Sequence, residues 1–344
     1  MKTLEVALIG YGFAGRVFHA PLIAHTDGLN LHTIVSRRPG SVAADFPLVR
    51  VVAEAEAAFA DPAIDLIVIA APNNAHAPLA DAALRHGKHV VVDKPFALTL
   101  AEAQGVVAQA ERSERVLSVF QNRRWDADFL TVRQLIATGQ LGEIAEYHSH
   151  FDRFRPKVVD RWRERDEPGG GLWFDLGPHL LDQALQLFGM PQAIFADLGQ
   201  QREAAQAVDY FNVLLRYPRH RVVLHAGSLV PDSGLRFAVH GTQGSYIKHG
   251  LDEQEDRLRA GGIPGEPGWG TDARPGQLTV DDGGTVRVEW VESLRGDYRK
   301  YYLAMRDAIV HGRPPPVTAG EALEVMRLIE MGVCSSAERR EIVL

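Results

Sequence analysis

The stretch Leu4-Glu5-Val6-Ala7-Leu8-Ile9-Gly10-Tyr11-Gly12-Phe13-Ala14-Gly15 decides the fold of this 344-residue chain. An apolar run is followed at once by Gly-x-Gly-x-x-Gly and then by a segment of helical periodicity. In that context the pattern predicts the phosphate-binding turn of a βαβ unit that binds a dinucleotide. Gly10 permits the tight turn, Gly12 lets the backbone approach a pyrophosphate, and Gly15 allows close helix–strand packing. Phe13 lies in the same turn and is counted with the glycines as a cofactor-binding residue.

Five further short apolar runs, rich in β-branched residues, occur in the first third of the chain. They cover residues 31–35, 49–52, 66–70, 89–92 and 116–120. Helical segments are predicted at 75–86 and 99–112, and Thr99-x-x-Glu102 forms a capping box at the start of the second. Continuous apolar runs that alternate with helices indicate parallel strands covered on both faces. Residues 1–122 are therefore predicted to form a doubly wound Rossmann domain.

The pattern changes after about residue 122, where strands of alternating polarity appear. Strands are predicted at 145–152, 193–200, 210–217, 221–229 and 236–240, and helices at 129–137, 173–188, 298–310 and 320–337. Alternation of this kind is typical of an antiparallel sheet with helices on one face. Residues 123–344 are therefore predicted to form an α+β domain with a large, open, mostly antiparallel sheet.

Composition and charge exclude several classes of protein. The net charge is -7 and the pI is about 6.1, which argues against a nucleic-acid partner. Apolar runs are no longer than a strand, and residues 6–9 are too short for a signal sequence, so no membrane association is expected. A single cysteine, Cys334, excludes an internal disulfide and is expected to be a buried thiol in the cytoplasm. No zinc-ligand spacing is present, and no metal is expected.

The end of the second predicted strand indicates which dinucleotide is preferred. It reads Ile34-Val35-Ser36-Arg37-Arg38, with no carboxylate before Asp45. Enzymes that use NAD usually carry an acidic residue here for the ribose 2′-hydroxyl, whereas Ser36, Arg37 and Arg38 suit a 2′-phosphate. The sequence favours NADP over NAD. The alternative is that the two arginines are solvated charges on a turn.

Four motifs resemble those of the glucose–fructose oxidoreductase/inositol dehydrogenase (Gfo/Idh/MocA) family over essentially the whole chain. They are Gly10-Tyr11-Gly12, Ala71-Pro72-Asn73-Asn74-Ala75-His76, Val92-Asp93-Lys94-Pro95 and Asp175-Leu176-Gly177-Pro178-His179. Asp93-Lys94-Pro95 departs from the family's usual Glu-Lys-Pro by one methylene. More narrowly, residues 121–126, 150–156 and 161–164 resemble NADP-dependent scyllo-inositol dehydrogenases and similar oxidoreductases of unassigned substrate. The resemblance also implies dimers through the open face of the second sheet.

The resemblance implies that Lys94, Asp175 and His179 are catalytic, and their chemistry agrees. Lys94 follows an apolar strand directly, at the sheet edge where ligands bind in α/β proteins. Asp175 and His179 are four residues apart on a predicted helix and share one face. Oxidation of an alcohol needs a base, and His179 suits that role near neutral pH while Asp175 supports it. The structural alternatives are a surface lysine at a strand end and a helix-stabilising pair.

Further site residues are assigned by their places at strand ends. Predicted cofactor contacts are Pro72, Asn73, His76, Asp93 and Lys94, and predicted substrate contacts are Asn122, Arg123, Trp125, Asp152, Arg153 and Arg155. Two roles stay open for Trp125, which either covers a sugar ring or packs the domain junction. A polyol needs many hydrogen-bonding side chains, which residues 121–183 supply, and a sugar acid suits the arginines equally.

The sequence thus predicts an NADP-dependent dehydrogenase that acts on a secondary hydroxyl of a cyclic polyol or sugar. The alternatives are another sugar or deoxyketose reductase, an aldose 1-dehydrogenase, and a dinucleotide-sensing regulator that catalyses nothing. A homo-oligomer, either a dimer or a tetramer, is expected through the open sheet face. Phe211, Val213 and Leu215 are expected to lie on that face, opposite Asn212 and Leu214.

Overall fold

A computed structural model describes residues 2–232 and 234–344, which form two compact units. The first unit extends to Trp125 and includes Gln254–Trp269 and Asp297–Met326. The second consists of Asp126–Glu253, Gly270–Gly296 and Arg327–Leu344. The continuous domains predicted on either side of residue 122 differ from this arrangement, because two later segments belong to the first unit.

The regular elements are numbered in chain order. The strands are β1 Leu4–Ile9, β2 Leu29–Val35, β3 Arg50–Val52, β4 Leu66–Ile69, β5 His89–Val92, β6 Leu117–Val119, β7 Ile144–His150, β8 Ala193–Gly199, β9 Tyr210–Arg216, β10 Arg221–Gly227, β11 Leu235–Gly241, β12 Gly244–His249, β13 Gly276–Asp282, β14 Thr285–Val291 and β15 Ile342–Val343. The helices are α1 Ala20–Ala24, α2 Pro39–Asp45, α3 Glu56–Phe59, α4 Asn73–Arg85, α5 Leu100–Ser113, α6 Ala127–Ala137, α7 Gly171–Phe188, α8 Gln254–Arg259, α9 Arg299–His311 and α10 Ala319–Glu338.

The first unit contains the predicted Rossmann sheet. Its six strands are parallel, in the order β3-β2-β1-β4-β5-β6. The capping box of α5 is confirmed, because Thr99 Oγ1 accepts the Glu102 amide at 3.1 Å and the Glu102 carboxylate accepts the Leu98 amide at 3.1 Å. The order reverses between β1 and β4, which is where sheets of this topology bind dinucleotides.

Apolar side chains explain why late segments join the first unit. Tyr298, Tyr301, Tyr302 and Met305 are fully buried in the same core as the parallel sheet. They lie on or just before α9, and burying large aromatic side chains contributes strongly to stability. The sequence showed the helix but not the core against which its apolar face packs.

The second unit contains the predicted open, mostly antiparallel sheet. Its strand order is β14-β13-β12-β11-β7-β10-β9-β8-β15, and only β7 and β10 among these described neighbours pair in parallel. Helix α7 packs on β9 and β10.

The prediction that Phe211, Val213 and Leu215 lie on the open face of the sheet is wrong. All three are fully buried, and the Phe211 ring lies 5.2 Å from that of Trp173 in α7. Strand alternation separates two sets of side chains but does not say which set faces the helices, and here Asn212 and Leu214 lie on the other face.

Cys334 is exposed, so the expectation of a buried thiol is also wrong. Within residues 2–232 and 234–344, no helix is both long enough and apolar enough to cross a lipid bilayer.

Candidate active site

The glycine turn after β1 is shaped by close backbone packing. Gly10 has φ of +98°, and a Cβ there would lie 2.5 Å from the Ala70 carbonyl oxygen. A Cβ on Gly15 would lie 2.1 Å from the Gly10 carbonyl oxygen, whereas one on Gly12 would meet no atom of the described residues within 4 Å beyond its chain neighbours. The turn is thus packed against the sheet at Gly10 and Gly15 and open at Gly12. These residues fit the pyrophosphate of a dinucleotide, which needs bare backbone beside open space.

The end of β2 presents positive charge. Arg37 and Arg38 are exposed, and neither side chain has a hydrogen bond or ion pair within the described part of the chain. Ser36 Oγ accepts the Arg38 amide at 3.1 Å, which fixes the turn. The carboxylate of Asp45 accepts bonds from Arg16 Nε at 2.7 Å and the Tyr11 hydroxyl at 2.8 Å. Asp45, the first carboxylate after β2, is therefore bonded to Arg16 and Tyr11.

Phe13 in the glycine turn is half exposed. The guanidinium carbon of Arg259, on α8, lies 4.9 Å from the centre of its ring. This contact places a further cation beside the turn, and sequence position alone could not reveal it because Phe13 and Arg259 are 246 positions apart.

Backbone contacts hold the segment that carries Lys94 at the end of β5. The Asp93 carboxylate accepts the Lys94 amide at 2.8 Å. The buried ring of His76 contacts two carbonyl oxygens, that of Pro95 at 2.8 Å through Nδ1 and that of Ala71 at 2.9 Å through Nε2. Burial lowers the pKa of His76, so the ring is neutral and donates to one of these two carbonyls at a time, between the loop after β4 and the loop after β5. This geometry favours a positioning role for His76 over the predicted cofactor contact.

A buried chain of polar groups lies behind Asp93. Tyr302 Oη and His19 Nδ1 are 2.6 Å apart, and His19 Nε2 is 3.7 Å from the Asp93 carboxylate. Burial raises the pKa of Asp93, but the histidine and the nearby Lys94 charge outweigh it, and the pKa lies below its usual value. Asp93 is therefore ionised at neutral pH. No sequence pattern indicates these contacts, since His19 and Tyr302 are 283 positions apart.

Residues predicted to contact substrate after β6 are largely engaged within the first unit. Arg123 is buried and forms an ion pair with Glu255 on α8, which favours a structural role. The Trp125 ring packs edge-on against Tyr301 of α9 within the first unit, with the ring centres 5.9 Å apart. Asn122 is buried at the end of β6, and Asn73 is buried in the first turn of α4, directly after Pro72.

Helix α7 of the second unit carries Asp175 and His179. His179 is 5% exposed, whereas the Asp175 side chain is 22% exposed. The helix is anchored on one side by Trp173 Nε1, which donates to the Ile329 carbonyl at 3.0 Å. On another side, Gln183 Oε1 accepts a bond from the buried Arg236 at 2.8 Å. These anchors hold the acid–base candidates on a rigid element, as a catalytic site requires.

A pocket beside α7 is lined by five arginines and two carboxylates. The charged lining residues are Arg153, Arg155, Arg161, Arg163, Arg202, Glu164 and Asp175. Arg153 and Arg163 approach the Asp175 carboxylate at 4.0 and 3.7 Å. The pocket therefore collects Asp175 with two of the predicted substrate residues, Arg153 and Arg155.

Other ion pairs fix the walls of this pocket. The buried Glu164 accepts bonds from Arg161 at 2.7 Å and from Arg202 at 2.8 Å. Arg202 also pairs with Asp209 at 2.8 Å. The Arg155 side chain has no hydrogen bond or ion pair to any residue that the structure describes. Positive charge thus exceeds negative charge in the lining.

Asp152, a predicted substrate contact, lies instead in a cluster with two histidines. Its carboxylate accepts bonds from His225 Nδ1 at 2.8 Å, the Gly227 amide at 2.9 Å and His150 Nδ1 at 3.2 Å. Burial raises the pKa of Asp152, but the hydrogen bonds and charges of the two histidines lower it to about 2. The carboxylate already has three protein partners, which argues against the predicted substrate contact.

Comparison with known proteins agrees with this arrangement. Residues 4–121 match the NAD-binding Rossmann fold of an oxidoreductase family, and residues 133–344 match its C-terminal alpha/beta domain. The chain belongs to the Gfo/Idh/MocA oxidoreductase family. It is therefore an oxidoreductase with a domain for a nicotinamide cofactor.

Full-length relatives support the same conclusion. The uncharacterized oxidoreductase YdgJ of Escherichia coli is 52% identical, over 99% of both chains. The scyllo-inositol 2-dehydrogenase (NADP(+)) IolW of Bacillus subtilis is 42% identical, over 100% of this chain and 97% of IolW. Among solved structures, YPO2259 of Yersinia pestis superposes with a TM-score of 0.97 at 49% identity, covering 100% of this chain and 97% of that one.

Proposed function

We propose that this protein is an NADP-dependent dehydrogenase that oxidises a secondary C–OH of a cyclic polyol or sugar, such as scyllo-inositol. The observation that carries the proposal is the full-length similarity to IolW in a chain that has Lys94, Asp175 and His179. The exposed Arg37 and Arg38 at the end of β2 support a 2′-phosphate, and hence NADP rather than NAD.

The roles follow from the chemistry of each side chain. When bound, the nicotinamide supplies the hydride acceptor or donor. His179 takes the hydroxyl proton as the alcohol is oxidised and returns it in the reverse direction. Lys94 donates a hydrogen bond to the substrate oxygen and stabilises the charge that develops there. Asp175, one helical turn before His179, favours the charged imidazole and holds Arg153 and Arg163 near it.

Alanine variants test these roles. Lys94→Ala and His179→Ala should leave NADP binding nearly intact but lower kcat by about 10²- to 10⁴-fold, the usual effect of losing a positioned acid–base group. Lys300→Ala and His311→Ala remove exposed side chains of α9 and serve as matched controls with unchanged turnover. Near-normal kcat in either site variant would remove that residue from the catalytic assignment.

A sugar acid is a second candidate substrate, favoured by the arginine-rich pocket. A carboxylate in contact with Arg155 would gain a charge-assisted hydrogen bond of about 1.5–3 kcal/mol. Because about 1.4 kcal/mol is a tenfold change, Arg155→Gln should lower kcat/KM for galacturonate about 10- to 100-fold and spare galactose. Arg219→Gln, at an exposed position between β9 and β10, is the control. Equal effects on both sugars would reject this candidate.

We also propose that the protein forms a homo-oligomer through the open face of the second sheet. Phe195, Leu214 and Val223 are direct partners across β8, β9 and β10, and they form an apolar row on the face opposite α7. Phe195 is 39% exposed in the single chain, and a partner subunit packed on this face would bury its ring.

A further inference from the structure

A cluster of two histidines and an aspartate lies on the open face of the second sheet and has no part in the proposed reaction. His150 ends β7, and His225 lies directly opposite it on the parallel strand β10. Asp152 follows His150 by two residues. One ligand atom from each side chain lies within 4.8 Å of the others. A single small ion could therefore contact all three.

The three side chains already face one another. The Nδ1 atoms of both rings face the same carboxylate, at 2.8 Å for His225 and 3.2 Å for His150, and the ring centres are 5.0 Å apart. The Gly227 amide holds the carboxylate in place at 2.9 Å. Ligand atoms around a tetrahedral zinc ion are about 3.3 Å apart, given bonds of about 2.0–2.1 Å. The observed spacing therefore needs little rearrangement to accept an ion.

The burial of the cluster and the types of its ligand atoms indicate which class of ion it could bind. In the single chain the Asp152 side chain is 5% exposed and each histidine is 19% exposed, so the three donors are already largely shielded from bulk water. Two imidazole nitrogens and one carboxylate oxygen suit borderline divalent transition metals. Mg²⁺ and Ca²⁺ prefer all-oxygen sites and are disfavoured here.

We propose that His150, Asp152 and His225 bind one divalent transition-metal ion of the Zn²⁺ class, with water completing the coordination. Each ring then carries its proton on Nε2, which leaves the Nδ1 lone pair for the ion, and any second ring proton is released to water. The ion links the end of β7 to β10 and so fastens two strands at the centre of the sheet. The proposal is independent of the dehydrogenase activity, because none of the three residues is assigned to hydride or proton transfer.

Metal titration of the intact protein tests the proposal. Purified, chelator-treated protein is titrated with Co²⁺, whose visible absorption reports coordination, and Zn²⁺ is then added in competition. We expect one Co²⁺ per chain, displaced by one Zn²⁺. His225→Gln and, separately, His150→Gln should weaken binding by at least about tenfold, since loss even of a residue that only supports a ligand has that effect.

A neighbouring histidine provides the control. His148 lies on the same strand and face, with its ring stacked 6.4 Å from that of His150, but it is outside the ligand set. His148→Gln should keep wild-type affinity, and Zn²⁺ should raise the Tm of the wild type and of His148→Gln but not of His225→Gln. Unchanged affinity in both ligand variants, or no stoichiometric Co²⁺ uptake by the wild type, would overturn the proposal and leave a purely hydrogen-bonded cluster. Ion binding is the readout, so an inactive enzyme would not affect the result.

Discussion

Replacing Gly12 or Gly15 by alanine separates two roles of the glycine turn, which are cofactor binding and packing of the fold. At Gly12 the added Cβ meets no atom within 4 Å in residues 2–232 and 234–344 beyond its chain neighbours, so Gly12→Ala should change the free energy of unfolding by no more than about 0.5 kcal/mol. At Gly15 the Cβ would lie 2.1 Å from the Gly10 carbonyl oxygen, which is backbone and cannot rotate away. Gly15→Ala should therefore destabilise the fold by about 1–3 kcal/mol, the usual cost of overpacking.

Gly12→Ala, which should barely change stability, should nevertheless weaken cofactor binding. The methyl group of Gly12→Ala occupies the open space beside the turn and should prevent the backbone from bonding a pyrophosphate. Loss of one charge-assisted hydrogen bond costs about 1.5–3 kcal/mol, so the Kd for NADP should rise at least about tenfold. Urea unfolding measures stability, and quenching of tryptophan fluorescence by NADP measures binding. Wild-type affinity in Gly12→Ala would refute the assignment of this turn to the phosphates.

Three other perturbations follow from the structure. Arg37→Ala should weaken the binding of NADP by about tenfold and leave the binding of NAD unchanged in the same titration, because it removes a partner of the 2′-phosphate only. Equal weakening of the binding of both cofactors would contradict that role. Leu214→Glu places a charge in the apolar row of the open face, and light scattering should show a smaller assembly than for the wild type; an unchanged mass would place the interface elsewhere. Burial lowers the pKa of His89 to about 4, and the nearby Arg115 charge adds to the effect. The unfolded chain therefore binds a proton that the folded chain does not, and stability should fall as the pH drops from about 6.5 to about 4. Unfolding in urea at pH 7.5 and 5 should show a smaller drop for His89→Gln than for the wild type, and an equal drop would mean that other groups cause it.

Much of the fold could be predicted from local sequence. The six parallel strands of the first unit were visible because each is a short, continuous apolar run between helical segments. The capping box at Thr99 and Glu102 follows from spacing alone, and the structure confirms it. The family and its fold were likewise predictable, because the motifs that carry them occupy contiguous stretches.

What the sequence could not show depends on contacts between distant segments. The prediction of which β9 side chains face the open side of the sheet was wrong, because alternation gives two faces without saying which of them packs on α7. The aromatic residues of α9 pack in the Rossmann core, which no local pattern indicates. The pairing of Asp152 with His225 likewise depends on the register of β7 and β10, 73 residues apart.

The most direct test of the proposed function is the reduction of NADP in the presence of scyllo-inositol. Purified protein is mixed with NADP or NAD and each of scyllo-inositol, myo-inositol, glucose and galactose, and the absorbance of the reduced nicotinamide is followed. We expect turnover with NADP and an inositol, slower turnover with NAD, and loss of the signal in His179→Ala. NADP binding without turnover on any of these polyols or on galacturonate would contradict the proposed substrate class and favour a dinucleotide-sensing protein.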